Sequence, residues 1–86
     1  MKVFLYALST CPWCRKTKKF FQENKIPFDF VDYDLQSEEK QEHIIVEMTK
    51  LGGGSGFPLV VIGKEVIVGY NPQRFAQILG LKKETV

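Results

Sequence analysis

The residues that most constrain the fold form one apolar run near the start of the chain. Val3-Phe4-Leu5-Tyr6-Ala7-Leu8 contains no charged residue and shows no alternation of polar and apolar residues. An alternating pattern marks a strand with one solvated face, whereas a continuous run is typical of a strand buried on both faces. Such a strand needs cover on both sides, so the run predicts a sheet that lies between layers of helices.

The other patterns of the chain predict the element order βαβαββα. A right-handed βαβ unit followed by an antiparallel hairpin gives an α/β fold with a four-stranded mixed sheet and helices on both faces. Proline is favoured at a first helical position, serine is a good N-cap, and a glycine with positive φ suits the first position of a two-residue II′ turn. On these grounds we expect three helices, which run from Cys11-Pro12 to about Asn24, from the Ser37 cap to Gly52 and from Asn71-Pro72 to about Gly80. We expect further strands at 28–34, 59–62 and 66–68, and a turn between the last two strands at Gly63-Lys64.

Length and composition exclude several classes of protein. The 86 residues, 44% of them hydrophobic, predict one globular domain over 1–86 with a frayed tail at 82–86. Twelve basic and ten acidic side chains give a charge of +2, which is too balanced for a nucleic-acid partner. No apolar run approaches the ~20 residues of a membrane span, and Met1-Lys2 leads directly into the first strand without a signal peptide. We therefore expect a cytoplasmic protein that acts without a membrane.

The chemistry is predicted at Cys11-Pro12-Trp13-Cys14, where the first strand gives way to a helix. A spacing of three residues places the two Cβ atoms roughly 5–6 Å apart on adjacent helical ridges, and a modest adjustment then closes a disulfide. Cys11 lies where free backbone N–H groups stabilise a thiolate. Cys14, one turn further on, is expected to be more buried and to keep its proton.

The surroundings of the motif favour a redox switch over a structural bridge. A loop of about four residues gives a disulfide only ~2 kcal/mol of stabilisation, and a cytosolic poise keeps an ordinary bridge reduced. Two cysteines are also too few for a secreted disulfide scaffold. Arg15, Lys16, Lys18 and Lys19 add positive potential on the first two turns, so we expect them to give electrostatic support to the Cys11 thiolate.

Other functions stay open at this point. A zinc site needs three or four ligands, and the only other soft candidate, His43, is expected on the surface of a helix, so no metal is predicted for the chain alone. An iron–sulfur cluster held between two chains with added thiols, or a scaffold with incidental cysteines, remains an alternative. The segment 52–56 is glycine-rich but lacks a following Gly-Lys-Ser/Thr, so it predicts a connector. Three acids are expected to face solvent: Asp29, Asp32 and Asp34.

The segment from Tyr6 to Cys14 resembles the active site of the dithiol glutaredoxins of the thioredoxin superfamily, and the element order matches over about residues 2–80. The resemblance implies a thioredoxin-like fold and a thiol–disulfide oxidoreductase. Cys11 would be the nucleophile, Cys14 the resolving cysteine, and the two would form the redox-active disulfide. It also implies that the Phe57-Pro58 bond is cis and that Phe57 contacts substrate.

The resemblance extends to a second substrate loop at 68–72. Together the two loops and the motif imply the substrate-binding residues Pro12, Trp13, Phe57, Pro58, Gly69 and Tyr70. Glutathione-using members usually carry a basic residue where this chain has Leu8, and an acidic residue in the segment where it has Asn71.

The electron donor and the partners also follow from the resemblance. Gly69-Tyr70-Asn71-Pro72 resembles the NrdH-redoxin branch, which takes electrons from thioredoxin reductase, whereas Pro12-Trp13 is closer to glutaredoxins. Because the electrons are expected to come from a separate molecule, we expect no bound cofactor. The electron source is expected to be a flavin- and NADPH-dependent reductase of the thioredoxin-reductase type, ahead of glutathione. The partners are expected to be disulfide-containing proteins, with ribonucleotide reductase as one candidate, and the protein is expected to act as a monomer.

Overall fold

A computed structural model describes residues 2–53 and 56–81. The expected frayed tail at 82–86 lies outside the described residues, as do Gly54 and Ser55 of the glycine-rich segment. Within these ranges, no helix is long and apolar enough to cross a bilayer. The described residues form the strands Val3–Ala7 (β1), Asp29–Asp32 (β2), Leu59–Ile62 (β3) and Glu65–Val68 (β4), the helices Pro12–Glu23 (α1), Glu38–Lys50 (α2) and Pro72–Leu79 (α3), and a 3₁₀ turn, Tyr33–Leu35.

The strands form one mixed sheet in the order β2-β1-β3-β4. β1 runs parallel to β2, whereas β1 with β3 and β3 with β4 are antiparallel pairs. This confirms the predicted four-stranded sheet and the βαβ unit followed by a hairpin. In the parallel pair, Phe4 lies opposite Asp29 and Ala7 opposite Asp32. The residues that follow β1 and β2 therefore leave the sheet side by side, at the carboxyl ends of these two strands.

Helices cover both faces of the sheet, as the apolar run of β1 predicts. On one face, Leu5 and Ala7 pack in a cluster with Phe21 of α1 and Phe75 of α3. On the other face, Tyr6 packs in a second cluster with residues of α2. The whole of β1 is buried except for the half-buried Phe4, so α1 and the motif at its start are attached to the centre of the core.

The predicted caps and turns are confirmed. Ser37 Oγ accepts a hydrogen bond from the backbone N–H of Lys40 at 3.3 Å and begins α2. Asn71 Oδ1 accepts one from the N–H of Arg74 at 3.1 Å and begins α3. Gly63 has a φ of +61° in the hairpin turn between β3 and β4, which a side chain would disfavour.

The second strand is shorter than predicted. Strand geometry was expected over 28–34, but β2 ends at Asp32 and Tyr33–Leu35 form a 3₁₀ turn. The reason is the length of β1, its strand partner among the described residues: β1 ends at Ala7, which lies opposite Asp32, so the residues after Asp32 have no ladder to join. The first strand also ends one residue earlier than predicted, because the carbonyl of Leu8 accepts a hydrogen bond from the N–H of Cys11.

The core beneath α1 supplies a test of stability. Phe21 is fully buried and its ring lies 5.3 Å from the rings of both Phe28 and Phe75, measured between centroids. We expect Phe21→Ala to lower the free energy of unfolding by about 3–5 kcal/mol in urea titrations. Phe30→Ala is the matched control and should cost less than half as much, because 49% of Phe30 is already exposed. Equal losses in the two variants would contradict this account of the core.

Candidate redox site

The two cysteines occupy different positions at the start of α1. Cys11 is the N-cap residue, with extended backbone angles, and Pro12 follows at the beginning of the helix. Cys11 is half-buried, whereas Cys14 is 0% exposed and lies on the core side of the helix. Both are free thiols, and the Cys14 thiol is within hydrogen-bonding reach of Cys11. The structure thus places one accessible thiol directly beside one buried thiol.

The backbone of Leu8 contacts both cysteines. Its carbonyl accepts a hydrogen bond from the N–H of Cys11 at 3.2 Å. Its own N–H donates to Cys14 Sγ at 3.3 Å. Leu8, which directly follows β1, therefore links the end of this strand to both cysteines.

The environment of Cys11 favours its ionised form. Partial burial opposes ionisation, but it is outweighed by hydrogen bonds from the backbone N–H and the thiol of Cys14, and from the backbone N–H of Trp13. Together they hold the pKa of Cys11 below its ordinary value. Free N–H groups at a helix start are unsatisfied within the helix, so they are available to a thiolate. This agrees with the thiolate stabilisation predicted from the position of the motif.

The environment of Cys14 favours its neutral form. Burial is the largest cause that raises its pKa, and the hydrogen bond to Cys11 and the charge of that residue act in the same direction. The hydrogen bond from the Leu8 N–H and the charge of Lys18 oppose them, and the net result is a pKa of about 11. The site therefore combines a thiol whose pKa is lowered with a thiol that keeps its proton at neutral pH.

Three basic side chains of α1 contact groups other than Cys11. Lys18 Nζ lies 2.9 Å from Asp32 Oδ1, and Lys19 pairs with Glu23 of the same helix. Lys16 Nζ lies over the Trp13 ring, 4.7 Å from its centroid. The lowered pKa of Cys11 thus comes from hydrogen bonds at the helix start rather than from these charges. Electrostatic support by Arg15, Lys16, Lys18 and Lys19 stays a prediction.

Two of the three acids expected to face solvent have specific hydrogen-bonding or ion-pair partners. Asp32 is half-buried and paired with Lys18. Asp34 is exposed but its carboxylate accepts two hydrogen bonds from Ser9, in the loop before Cys11. These bonds hold the pKa of Asp34 below its ordinary value. Asp29 and Asp34 are thus exposed, as expected, whereas Asp32 is not.

A shallow groove lies beside the motif and brings together most of the predicted substrate-binding residues. It has a volume of about 270 Å³ and is lined by Trp13, Phe57, Pro58, Gly69 and Tyr70. Trp13 is 54% exposed, and its ring stacks on that of Tyr70 with centroids 6.0 Å apart. None of the five lining residues carries a charge. The groove therefore offers an aromatic, neutral surface next to Cys11.

The two loops that form the groove have distinctive backbone conformations and one direct contact. The Phe57-Pro58 peptide bond is cis, as the family resemblance implies. The N–H of Gly69 donates to the carbonyl of Pro58 at 2.7 Å, so the two loops are joined directly. Gly69 has a φ of +93°, a conformation that favours glycine.

Sequence reasoning missed the support that the 3₁₀ turn gives to the site. The Tyr33 ring packs on the ring of Phe57 with centroids 5.3 Å apart. Asp34, the next residue, bonds Ser9 of the loop before Cys11. A signal was available, because Ser9 and Asp34 each stand two residues beyond the paired ends of parallel strands, Ala7 and Asp32. Using it required the register of β1 and β2.

Metal-ligating residues are not gathered elsewhere in the described part of the chain. No group of three or more His, Cys, Asp or Glu within 2–53 and 56–81 could hold a metal ion. His43 is exposed on α2, as predicted. Within those ranges, no third ligand residue therefore joins the two cysteines.

The comparisons with known proteins identify the family. The family model for glutaredoxin matches residues 3–67. A glutaredoxin-like 8.6 kDa protein of the rubredoxin operon of Clostridium pasteurianum is 35% identical over 75 residues, which are 87% of this chain and 93% of that protein. The crystal structure of the glutaredoxin from Archaeoglobus fulgidus has a TM-score of 0.85 at 28% identity, covering 91% of this chain and 85% of that one.

The fold and the paired thiols define a protein of the thioredoxin superfamily. Within it, this chain belongs to the glutaredoxin family, whose members are generally thiol–disulfide oxidoreductases. The NrdH-redoxin of Escherichia coli, whose activity profile is described as thioredoxin-like, has a TM-score of 0.70 over 99% of this chain and 100% of that one. At 20% identity, that likeness concerns the fold alone. The resemblance to the family and the thioredoxin-like fold predicted from the sequence are therefore confirmed.

The hydrogen bond between the thiols can be tested by substitution. We expect Cys14→Ala to raise the pKa of Cys11, because the donor thiol is lost while the backbone N–H groups remain. Cys14→Ser keeps a donor at the same place and should raise it less. The measurement is the pH dependence of thiolate absorbance in the single-cysteine variants.

The control for this experiment reverses two exposed charges. Lys16→Glu combined with Lys19→Glu should move the pKa of Cys11 less than Cys14→Ala does, because Lys16 lies on Trp13 and Lys19 pairs with Glu23. The charge effect should also shrink in salt, since exposed charges are screened over ~10 Å at 0.1 M. A larger effect of the lysine variant at moderate salt would contradict the assignment of the pKa shift to hydrogen bonds.

Proposed function

We propose that this protein reduces disulfides of cytoplasmic partner proteins, with Cys11 as the nucleophile and Cys14 as the resolving thiol. The observation that carries the proposal is the difference between two adjacent thiols. Cys11 is accessible and its pKa is lowered, whereas Cys14 is buried and its pKa is raised to about 11. The thiolate is the reactive form in thiol–disulfide exchange, so Cys11 attacks first.

In the first step, the Cys11 thiolate attacks one sulfur of the substrate disulfide. A bond forms between Cys11 Sγ and that sulfur, and the substrate S–S bond breaks. The other substrate sulfur leaves as a thiolate and takes a proton from solvent. Cys14 keeps its proton during this step because burial disfavours its ionised form.

In the second step, Cys14 attacks Cys11 Sγ of the mixed disulfide. Its proton passes to solvent, the Cys11–Cys14 bond forms, and the second substrate sulfur leaves as a thiolate. Two of the causes that raise the pKa of Cys14 are the charge of Cys11 and the hydrogen bond to it. Both end when Cys11 is bonded to substrate, so Cys14 ionises more readily at the moment it is needed. The substrate gains two electrons, and the protein is left as a disulfide that a donor must reduce.

The groove supports a protein chain as the substrate. Trp13, Tyr70 and Phe57 present aromatic rings beside the attacking thiol, and the lining has no charge to hold the ends of a small charged peptide. Burial of apolar surface then supplies the affinity for side chains that flank the target disulfide. We propose Pro12, Trp13, Phe57, Pro58, Gly69 and Tyr70 as the contacts, with a ribonucleotide reductase among the candidate partners.

The roles of the cysteines can be tested by trapping. We expect Cys14→Ser to accumulate a mixed disulfide at Cys11, because the first step proceeds and the second cannot. Cys11→Ser should be inactive and trap nothing. The measurement is non-reducing electrophoresis and mass mapping after incubation with a disulfide protein. Recovery of the adduct at Cys14 in the Cys11→Ser variant would contradict the assignment.

We further propose that the donor is a reductase of the thioredoxin-reductase type rather than glutathione. Leu8 and Asn71 stand where glutathione-using relatives usually place opposite charges. Leu8 packs against the core instead, and Asn71 Oδ1 caps α3. Charge-assisted hydrogen bonds contribute about 1.5–3 kcal/mol each, so the loss of one weakens glutathione engagement by about tenfold or more. We propose the cytoplasm as the place of this reaction, because thiols are kept reduced there.

The donor preference can be reversed by restoring the charges. We expect Leu8→Lys with Asn71→Asp to raise kcat/KM for glutathione by about tenfold, the effect of one restored charge-assisted contact. Aspartate is as good an N-cap as asparagine, and a lysine stem can follow an apolar surface, so both changes are compatible with the fold.

The matched control is Leu8→Met with Asn71→Ser, which keeps both positions neutral and retains a cap. It should leave the preference of the wild type unchanged. Wild-type protein that turns over efficiently with millimolar glutathione and is not reduced by thioredoxin reductase would overturn the donor proposal while leaving the roles of the cysteines intact.

A further inference from the structure

The carboxylate of Asp34, in the 3₁₀ turn after β2, binds the loop between β1 and Cys11. The backbone N–H of Ser9 donates to Asp34 Oδ1 at 2.7 Å, and the hydroxyl of the same residue donates to Oδ2 at 2.5 Å. Both oxygens of Asp34 are thus engaged by one residue of the loop. Hydrogen bonds to a carboxylate are shorter and stronger than those between neutral groups. Asp34 therefore holds both the backbone and the side chain of Ser9.

The backbone of Ser9 is directly connected to the backbone of Cys11. The N–H of Ser9 and the carbonyl of Leu8 belong to one planar peptide unit, so fixing one fixes the other. That carbonyl accepts the hydrogen bond from the N–H of Cys11 at 3.2 Å. Asp34 therefore orients the group that holds the backbone of the nucleophile, although it touches neither sulfur.

Asp34 is itself on a well-supported segment. In the 3₁₀ turn, the carbonyl of Tyr33 accepts hydrogen bonds from Gln41 Nε2 of α2 at 3.0 Å and from the N–H of Gln36 at 3.1 Å. The ring of Tyr33 packs on Phe57 in the groove. The turn therefore contacts α2 and one side of the groove, and through Asp34 it also contacts the loop before Cys11.

Two explanations of an effect of Asp34 on Cys11 can be distinguished. A negative charge near a thiol raises its pKa, so a purely electrostatic effect would make Cys11 more acidic once the charge is removed. A positioning effect has the opposite result, because a loosened loop moves Cys11 away from the N–H groups at the start of α1. Of the two, only the positioning effect follows from the bonded path through Ser9 and Leu8.

We propose that Asp34 is a positioning residue for the redox reaction. It orients the Leu8–Ser9 peptide unit and so keeps Cys11 against the free N–H groups of α1. The inference rests on the proposed function of Cys11 as the nucleophile. It adds a residue that is distant from Cys11 in the sequence and brought to the redox loop by the parallel pairing of β1 and β2.

The experiment compares three variants with the wild type in the reduced protein. Asp34→Ala should raise the pKa of Cys11, measured by thiolate absorbance. It should also slow both iodoacetamide modification of Cys11 and disulfide reduction at neutral pH, by about tenfold, within the cost of a misplaced reacting group. Asp34→Asn keeps one acceptor for the Ser9 N–H and an amide that can donate to its hydroxyl, so it should restore most of the rate. Asp29→Ala removes an exposed acid at the start of β2 and is the matched control, expected to change nothing.

The outcomes separate this inference from the proposed function. An Asp34→Ala protein with wild-type Cys11 pKa and rates would overturn the positioning role and leave the proposed function standing. A fall in activity that merely follows the unfolded fraction in urea titrations, with an unchanged pKa, would overturn it as well. A lowered pKa in both Asp34 variants would show an electrostatic role instead. If the wild type reduced no disulfide, the proposed function would fail, while the thiolate titrations would still decide whether Asp34 positions Cys11.

Discussion

The site depends on the hydrogen bonds at the start of α1. A helix leaves its first N–H groups without partners inside the helix, and here Cys11 stands at that position as the N-cap residue. The N–H groups of Trp13 and Cys14, together with the Cys14 thiol, lower the pKa of Cys11 against the effect of partial burial. Two parts of the structure hold this short segment in place: the core and the segment that follows β2.

The core supplies the first part of that support. β1 is buried between helices on both faces and ends directly before the redox loop, so the loop begins at a strand that packs in both core clusters. Cys14 points into the same core, where burial keeps it protonated. One turn of helix thus joins two environments of opposite effect, which is why two identical side chains three residues apart differ in acidity.

The edge of the sheet supplies the second part. The segment after β2 is a 3₁₀ turn whose two adjacent residues reach both sides of the site, Asp34 at the redox loop and Tyr33 at Phe57. The bond between Gly69 and Pro58 then joins the two loops of the groove. The accessible thiol and the aromatic groove are consequently fixed relative to each other by a few named contacts.

Much of this could be predicted from the sequence, because the signals are local. The apolar run of β1, the proline and cysteine spacing of the motif and the caps at Ser37 and Asn71 each depend on residues close in the chain. The length of β2 could not be predicted, since it is set by where β1 ends. The partners of Lys18 and Asp34 were missed for the same reason: each contact depends on the register of the parallel pair, which no local pattern reveals.

The most direct test of the account is the titration of each thiol in the intact, reduced protein. Nuclear magnetic resonance of protein labelled with ¹³C at the cysteine Cβ atoms follows both residues separately as the pH is changed. We expect Cys11 to titrate below the ordinary pKa of a cysteine thiol and Cys14 to remain protonated until about pH 11. Titration of Cys14 before Cys11, or of both together at the ordinary pKa of a thiol, would contradict it.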